Sequence, residues 1–292
     1  MSALKRKSSV ALIIGIIMIL LFIPTWYMMV APFMIVSELE KIDLLYVYEG
    51  TFKHLGYPSS VLFEAYLYVE KVKGDNVTLK IDVNMIAGLS VLSRNSTYVF
   101  NKFTRENVRD APEADKPREG YDPLFPSHLK ADEDILRAWL DNLNTTATLE
   151  FKEGVREEGV TLYKYFVEKT ITKETDVPDL GILNITFIST KTILIEPLSG
   201  LLTYTENETF SQIDSDTGSL LVYLEFASTT EDKAQKLADA KAVHDSIRLL
   251  ELYIPTILGV IAIGLTIALA YNVRNLKRKK PPEPAPQSPA SI

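Results

Sequence analysis

Residues 252–271 read LYIPTILGVIAIGLTIALAY and contain no charged side chain. Five cations follow within the next nine residues, at Arg274 and at positions 277–280. A helix rises about 1.5 Å per residue, so about 20 apolar residues are needed to cross a hydrocarbon layer about 30 Å thick. The stretch therefore predicts a transmembrane helix that ends at a basic, cytoplasmic boundary.

A second uncharged stretch lies near the other end. Residues 10–36 read VALIIGIIMILLFIPTWYMMVAPFMIV and follow Lys5-Arg6-Lys7. A secretory signal has an apolar core of about 7–15 residues, so this longer stretch predicts an uncleaved signal anchor, with cleavage near Ala31 as the alternative. The predicted organisation is a cytoplasmic N-terminus (1–9), a first span (10–36), an extracellular β-rich domain (37–228), a membrane-proximal helix (229–251), a second span (252–271) and a basic, Pro-rich cytoplasmic tail (272–292).

Charge is distributed unevenly along the chain. The first nine residues carry +3 and the C-terminal tail carries +4, whereas residues 37–251 carry −14. The positive-inside rule places both termini in the cytoplasm and the acidic domain outside. We therefore expect a plasma-membrane protein with two spans and the lipid bilayer as a partner. The acidic domain argues against nucleic acid as a ligand. The absence of cysteine excludes disulfides and thiol chemistry.

Acceptor motifs for N-linked glycans also indicate an extracellular domain. Residues 37–251 contain five Asn-x-Thr motifs among nine asparagines. Such motifs are typical of glycosylated surfaces on exported proteins, although Thr-rich strands also produce them by accident. A glycosylated, cysteine-free exterior is typical of an archaeal cell surface. The predicted glycosylation sites are Asn76, Asn95, Asn144, Asn184 and Asn207.

Between the spans, apolar and polar residues alternate with period two. Residues 61–72 and 77–84 flank the turn Gly74-Asp75 and predict a β-hairpin. Consecutive strands without alternating helices predict a membrane-anchored, mainly β (α+β) protein, whose sheet is either a curved antiparallel sheet or a partly closed barrel. Further strands are predicted at 96–103, 147–151, 160–171, 185–195, 201–213 and 219–226.

Three other segments interrupt this pattern. Residues 105–133 lack periodicity and contain four prolines, which predicts a long loop that is either functional or poorly ordered. Residues 132–143, DEDILRAWLDNL, place apolar residues on one face and predict one short helix. A further helix begins near Thr229 and leads to the second span, where we expect it to hold the sheet away from the bilayer as a stalk.

No sequence motif predicts catalysis. The three histidines, His54, His128 and His244, lie far apart, and there is no G-x-S-x-G. Acidic residues 132–134 near His128 and the stretch 214–218 have cation-site composition, but a helix start and a hairpin turn explain them better. We therefore expect a protein that is not an enzyme and has no cofactor or metal site.

Aromatic residues are spread over nearly all predicted strands. They form a core, or a core together with a groove for a lipid-sized ligand, because one short helix cannot cover so much apolar surface. Candidate lining residues for that groove are Trp139, Tyr66, Tyr68 and Phe187.

Small residues four apart occur in both spans. Ala11 with Gly15, and Gly264 with Ala268, allow helices to approach closely, so the spans pack on each other or on a second copy in a homo-oligomer. Neither span contains a charged residue, which argues against an ion path through one pair of helices.

Four segments resemble the porin PorA family of actinobacterial and archaeal membrane proteins. They are YMMVAP at 27–32, GVTLYKYFV at 159–167, IEPLSGLL at 195–202 and the helix at 232–255. The resemblance implies two terminal spans around a β-rich exterior; the family name implies a pore, and no catalytic residues are defined. The strand pattern is also similar to lipoprotein carriers of the LolA type, and the two-span plan is similar to the scavenger receptors.

From these observations we expect the exterior domain to bind or transfer a hydrophobic, lipid-like ligand without enzymatic chemistry. A structural or interaction module of the cell envelope is the alternative. An oligomeric pore component is a third hypothesis, which rests on the family name alone.

Overall fold

The computed structural model describes residues 2–32, 34–35, 42–88, 90–131, 135–177 and 181–278. The chain divides into two compact units: residues 1–34 together with 248–292, and residues 35–247. The helices are α1 (Ser2–Thr25), α2 (Thr230–Arg248) and α3 (Ile254–Arg278). The strands are β1 (Asp43–His54), β2 (Tyr57–Lys73), β3 (Asn76–Ala87), β4 (Ser90–Asn101), β5 (Arg137–Leu140), β6 (Thr145–Thr148), β7 (Glu150–Glu157), β8 (Val160–Val177), β9 (Gly181–Glu196), β10 (Leu201–Asp214) and β11 (Leu220–Ser228).

The helical unit contains α1 and α3, which pack against each other. By length and composition, both helical segments could cross a membrane. A π-helical turn follows α1 at Trp26–Val30 and another precedes α3 at Leu249–Tyr253. Each turn ends two residues before a proline, whose missing N–H removes a helical hydrogen bond and favours such local distortion.

Two contacts define how these helices meet. The indole Nε1 of Trp26 donates a 2.8 Å hydrogen bond to the carbonyl oxygen of Leu250, so it joins the two π-helical turns. Gly15 lies against Leu265, because a Cβ built there would be 3.9 Å from the Leu265 Cδ1. Beyond the backbone of its own helix and its chain neighbours, no described atom lies within 4 Å of a Cβ built at Gly264. The predicted packing of the spans therefore uses Gly15 of the first small-residue pair and leaves Gly264 outside it.

The second unit is organised around a nine-stranded antiparallel sheet in the order β4-β3-β2-β1-β11-β10-β9-β8-β7. The predicted hairpin of β2 and β3 is confirmed, as are the predicted strands that correspond to β8 through β11. At the centre, β1 pairs with β11, where Gly50 lies opposite Phe226. Among the described strands, β4 and β7 form the two edges, so the sheet is open and not a closed barrel.

One face of the sheet, face A, contributes most of the core. It carries Leu79, Tyr165 and Ile193, and alternate residues along each strand share it. Residues 102–149, which we call the cover, connect β4 to β7 and pack on this face. The cover includes the small β5–β6 hairpin, and its buried apolar residues are Leu124, Phe125, Leu129, Leu136, Ala138, Trp139, Leu140, Leu143, Ala147 and Leu149.

The cover corrects two sequence-based predictions. The long segment at 105–133 is packed where it is described, because it buries Arg105, Arg118 and Phe125. The helix predicted at 132–143 is wrong, since Arg137–Leu140 form strand β5 and residues 141–144 form a turn. Ala138, Trp139 and Leu140 are three consecutive buried residues, which one helical face cannot accommodate, and β6 supplies their strand partner. Residues 132–134 lie outside the described residues.

The opposite face, face B, packs against α2. Leu237 of α2 contacts a small cluster formed by Val160, Leu162, Leu194 and Tyr204. The helix has the predicted N-cap, because the Oγ1 of Thr229 accepts a 3.2 Å hydrogen bond from the backbone N–H of Asp232. Residues 230–247 therefore do not stand free of the sheet, since apolar burial holds this helix on it. Their role as a stalk between the sheet and the bilayer stays a prediction.

Candidate functional site

Face A has an uncovered region beside the cover, and this region forms a half-open groove. The groove has a volume of about 360 Å³. Phe63 of β2, Ile81, Val83 and Met85 of β3, and Leu92 of β4 line it. Strand register brings them together, because Met85 lies opposite both Phe63 and Leu92. Cross-strand neighbours on one face of a sheet form a continuous apolar surface here.

The rim of the groove is polar and centred on Asp141. Its carboxylate lies 3.0 Å from Arg94 and 2.7 Å from Lys116, and it accepts a 3.2 Å hydrogen bond from the Nε1 of Trp139. Burial alone would raise the pKa of Asp141, but the hydrogen bond from Lys116 and the nearby cations lower it overall. Asp141 is therefore ionised at neutral pH and holds the cover beside the groove.

Arg118 reinforces the same rim from inside the cover. Its side chain is 2% exposed and lies 2.6 Å from Asp115. Its guanidinium carbon lies 3.7 Å from the ring centroid of Tyr98, and its Nη1 donates to the carbonyl of Thr97 at 2.9 Å. Arg94, by contrast, is 58% exposed, so some of its hydrogen-bond donors remain available to solvent or to a ligand.

A second charged cluster lies under the cover. The Nζ of Lys191 on β9 is 3.8 Å from Asp122 in the cover and 3.4 Å from Glu208 on β10. Burial raises the pKa of Asp122 to about 6, although the charge of Lys191 opposes that shift. The cluster fixes the cover to the sheet and does not line the groove.

The turn Glu196–Gly200 connects three elements. Glu196 is fully buried, accepts hydrogen bonds from the backbone N–H of Leu198 and Ser199, and lies 2.8 Å from the Nδ1 of His244 on α2. Arg105 of the cover donates to the carbonyl of Ser199. Burial lowers the pKa of Arg105 to about 10, against the opposing charge of Glu196. The motif IEPLSGLL is therefore a structural junction between the sheet, α2 and the cover.

The four predicted lining residues do not form one surface. Trp139 is buried in β5 and bonds to Asp141, and Phe187 lies in the face A core against Phe210. Tyr66 and Tyr68 alternate with Leu67, so they lie on face B. Whether any of them contacts a ligand stays a prediction. Among the strand aromatics that the sequence pattern contained, Phe63 and Tyr98 line the groove.

The other groove residues were missed because they depend on strand register. Met85, Leu92 and Arg94 meet only through the β2–β3 and β3–β4 pairings. The alternation of residues 77–84 predicted that Ile81 and Val83 lie on the same face of the sheet. No local pattern predicted that the cover would leave this part of the face uncovered. Within the described residues, no group of three or more metal-ligating side chains occurs, and Asp214 forms the expected hairpin turn with Asp216 and Thr217.

The described chain combines an open antiparallel sheet, with a cover on one face and a helix on the other, and two apolar helices long enough to cross a membrane. The chain belongs to the family described as Porin PorA, whose model matches residues 60–271. No curated protein matches the sequence. Among solved structures, a conserved protein of unknown function with a hot dog fold from Alicyclobacillus acidocaldarius shares 11% identity over 67% of this chain and 83% of its own. Its TM-score of 0.14 is too low to support a common fold.

Proposed function

We propose that the β-sheet domain binds a hydrophobic ligand in the groove of face A and acts without enzymatic chemistry. The observation that carries the proposal is the position of the groove. The cover fills face A over much of the sheet but leaves Phe63, Val83, Met85 and Leu92 around an open volume. Concave sites lined by apolar side chains with a few polar groups at the edge are typical of small-molecule binding.

The rim supports a ligand with an anionic head. Arg94, Lys116 and Arg118 face two carboxylates, Asp115 and Asp141, so the rim has one excess positive charge inside a strongly acidic domain. Arg94 can donate hydrogen bonds to a carboxylate or phosphate as well as to Asp141, because its guanidinium has five N–H groups and its side chain is largely exposed. The groove volume is at the small end for ligand sites, which fits one acyl chain better than a whole bilayer lipid.

Binding of a fluorescent long-chain fatty acid to the full-length protein in nanodiscs tests this function. Leu92→Asp places a charge in the groove, and Val91→Asp is the matched control. The two residues are adjacent on β4 and about equally exposed, at 61% and 62%, but point to opposite faces. Losing the contact of one leucine side chain with a bound acyl chain costs about 2 kcal/mol, so Leu92→Asp should weaken binding at least about tenfold. Val91→Asp should change it less than about threefold.

Two outcomes would refute the proposal. One is the absence of saturable binding to the unmodified protein above empty nanodiscs. The other is an equal effect of the two substitutions. Arg94→Gln tests the head group separately, since it should weaken the fatty acid and leave the corresponding long-chain alcohol unchanged.

A second candidate function, an interaction module of the cell envelope, is favoured by the β4 edge. Residues 105–115 of the cover shield one end of this strand, where Val108 and Asp115 bond to the backbone of Val99 and Thr97. Residues 90–95 are exposed and include Val91 and Leu92, and unpaired apolar edges are suited to pairing with another chain. Because the chain lacks cysteine, Val91→Cys provides a single thiol. Disulfide-linked dimers in intact cells would support this role.

Pore formation is a third candidate, supported by the family description. The two uncharged spans of one copy do not line an aqueous path, so a pore requires several copies. Single-channel conductance in planar bilayers, with the protein at increasing density, tests it.

A further inference from the structure

Four of the five Asn-x-Thr motifs lie in strands of the large sheet, and all four place asparagine on face B. Each asparagine precedes or follows a face A residue by one position in its strand, so alternation directs it to the opposite face. The face A neighbours are Val77, Ser96, Ile185 and Glu208, which contact the core, the groove or the buried Lys191. The four asparagines are Asn76, Asn95, Asn184 and Asn207.

Exposure of these side chains is consistent with modification. Asn76, Asn95 and Asn184 are exposed, and Asn207 is half-buried. The fifth asparagine, Asn144, is exposed in the turn between β5 and β6. The predicted sites are therefore concentrated on the sheet face that lies away from the cover and the groove.

In three of these strand motifs the threonine is less exposed than the asparagine, and in the fourth motif both residues are half-buried. Thr78 is 7% exposed, and the hydroxyl groups of Thr186 and Thr209 bond to other side chains of the sheet. A transferase that reads the threonine hydroxyl therefore has access before the strands pair. After folding, the attached sugars would extend from face B into solvent.

We infer that face B is the glycan-bearing face of the large sheet and that the strands carry no sugar on face A; the fifth motif, at Asn144, lies in the cover. In each step, the side-chain amide nitrogen of asparagine forms a bond to the anomeric carbon of a lipid-diphosphate-linked oligosaccharide. The bond from that carbon to the diphosphate oxygen breaks, the lipid diphosphate leaves, and the amide releases one proton to solvent. The inference requires an exported domain and is independent of any ligand in the groove.

Glycopeptide mass spectrometry of the full-length protein, purified from the membranes of the organism that makes it, tests this inference. We expect sugar masses on the peptides that carry Asn76, Asn95 and Asn184, and lower occupancy at the half-buried Asn207. Thr97→Val should abolish the modification at Asn95, whereas Thr97→Ser should retain it. Asn142 is exposed but lacks the motif, so it should remain unmodified.

Unmodified peptides at all of the strand motifs would overturn the inference. Sugar confined to Asn144 would also overturn it, because only the cover would then be modified. Equal loss of sugar in both Thr97 variants would show that the motif itself is not read.

Discussion

The Nδ1 of His244 lies 2.8 Å from the Oε1 of Glu196, so a helix of the β-sheet domain is joined to a turn of its sheet by a buried polar contact. Glu196 is fully buried and also accepts two backbone hydrogen bonds. Removing the Glu196 side chain leaves the backbone N–H groups of Leu198 and Ser199 and the Nδ1 of His244 without this acceptor.

We expect Glu196→Ala to lower the free energy of unfolding by about 3 kcal/mol, because buried donors lose their partner. Glu206→Ala is the matched control, since Glu206 is 49% exposed and its pair with Lys164 lies at the surface. Its effect should stay below about 1 kcal/mol. Chemical denaturation of the full-length protein in detergent, followed by tryptophan fluorescence, measures both. Equal losses in the two variants would contradict the role assigned to Glu196.

Gly50 provides a test of the central strand pair. A Cβ at this position would overlap the carbonyl oxygen of Glu225 on β11. Gly50→Ala should therefore destabilise the domain by about 2 kcal/mol or more, because the β1–β11 pairing must shift. Gly154→Ala is the control in β7, where the nearest atoms to a built Cβ are 4.0 Å away on Tyr163. That variant should be neutral or slightly stabilising, since alanine loses less backbone entropy on folding.

Arg118 tests whether the cover depends on its internal ion pairs. We expect Arg118→Met to cost about 3–5 kcal/mol, because Asp115 and Asp141 lose a buried cation. Arg109→Met should cost less than about 1 kcal/mol, because Arg109 is 65% exposed and its pair with Glu119 is solvated. Trp139 fluorescence reports on the cover, since its ring is buried beside Asp141. Similar unfolding midpoints for the two variants would refute this account.

Asp122 should make stability depend on pH. Its folded-state pKa is about 6, against about 3.9 when unfolded, so the folded state binds the proton more tightly between these values. The contribution of Asp122 to the free energy of unfolding is therefore lost as pH rises from about 4 to about 6. The unmodified protein should lose about 3 kcal/mol over this interval relative to Asp122→Asn. A constant difference between the two proteins from pH 4 to pH 7 would contradict the assignment.

Much of the sheet could be predicted from the sequence because its signals are local. The alternation in residues 61–72 and 77–84 and the turn at Gly74 specify a hairpin without reference to distant residues. The cover could not be predicted in this way. Ala138, Trp139 and Leu140 form a strand because Thr145–Thr148 pair with them and the sheet buries them. The same limit applies to the groove, whose residues meet through register across three strands.

The central pairing of residues 48–54 with residues 222–228 affects how the protein is made. Strands β1 to β4 can form hairpins with their sequence neighbours while the rest of the chain is still on the ribosome, as can β7 to β10. The two halves become one sheet only after β11 has been synthesised, since β11 connects β1 to β10. Such non-local pairing is slow, and the unpaired edges of both halves remain exposed until it forms. A chain that terminates before Leu220 would therefore present two open sheets, each a substrate for aggregation or for quality-control proteolysis.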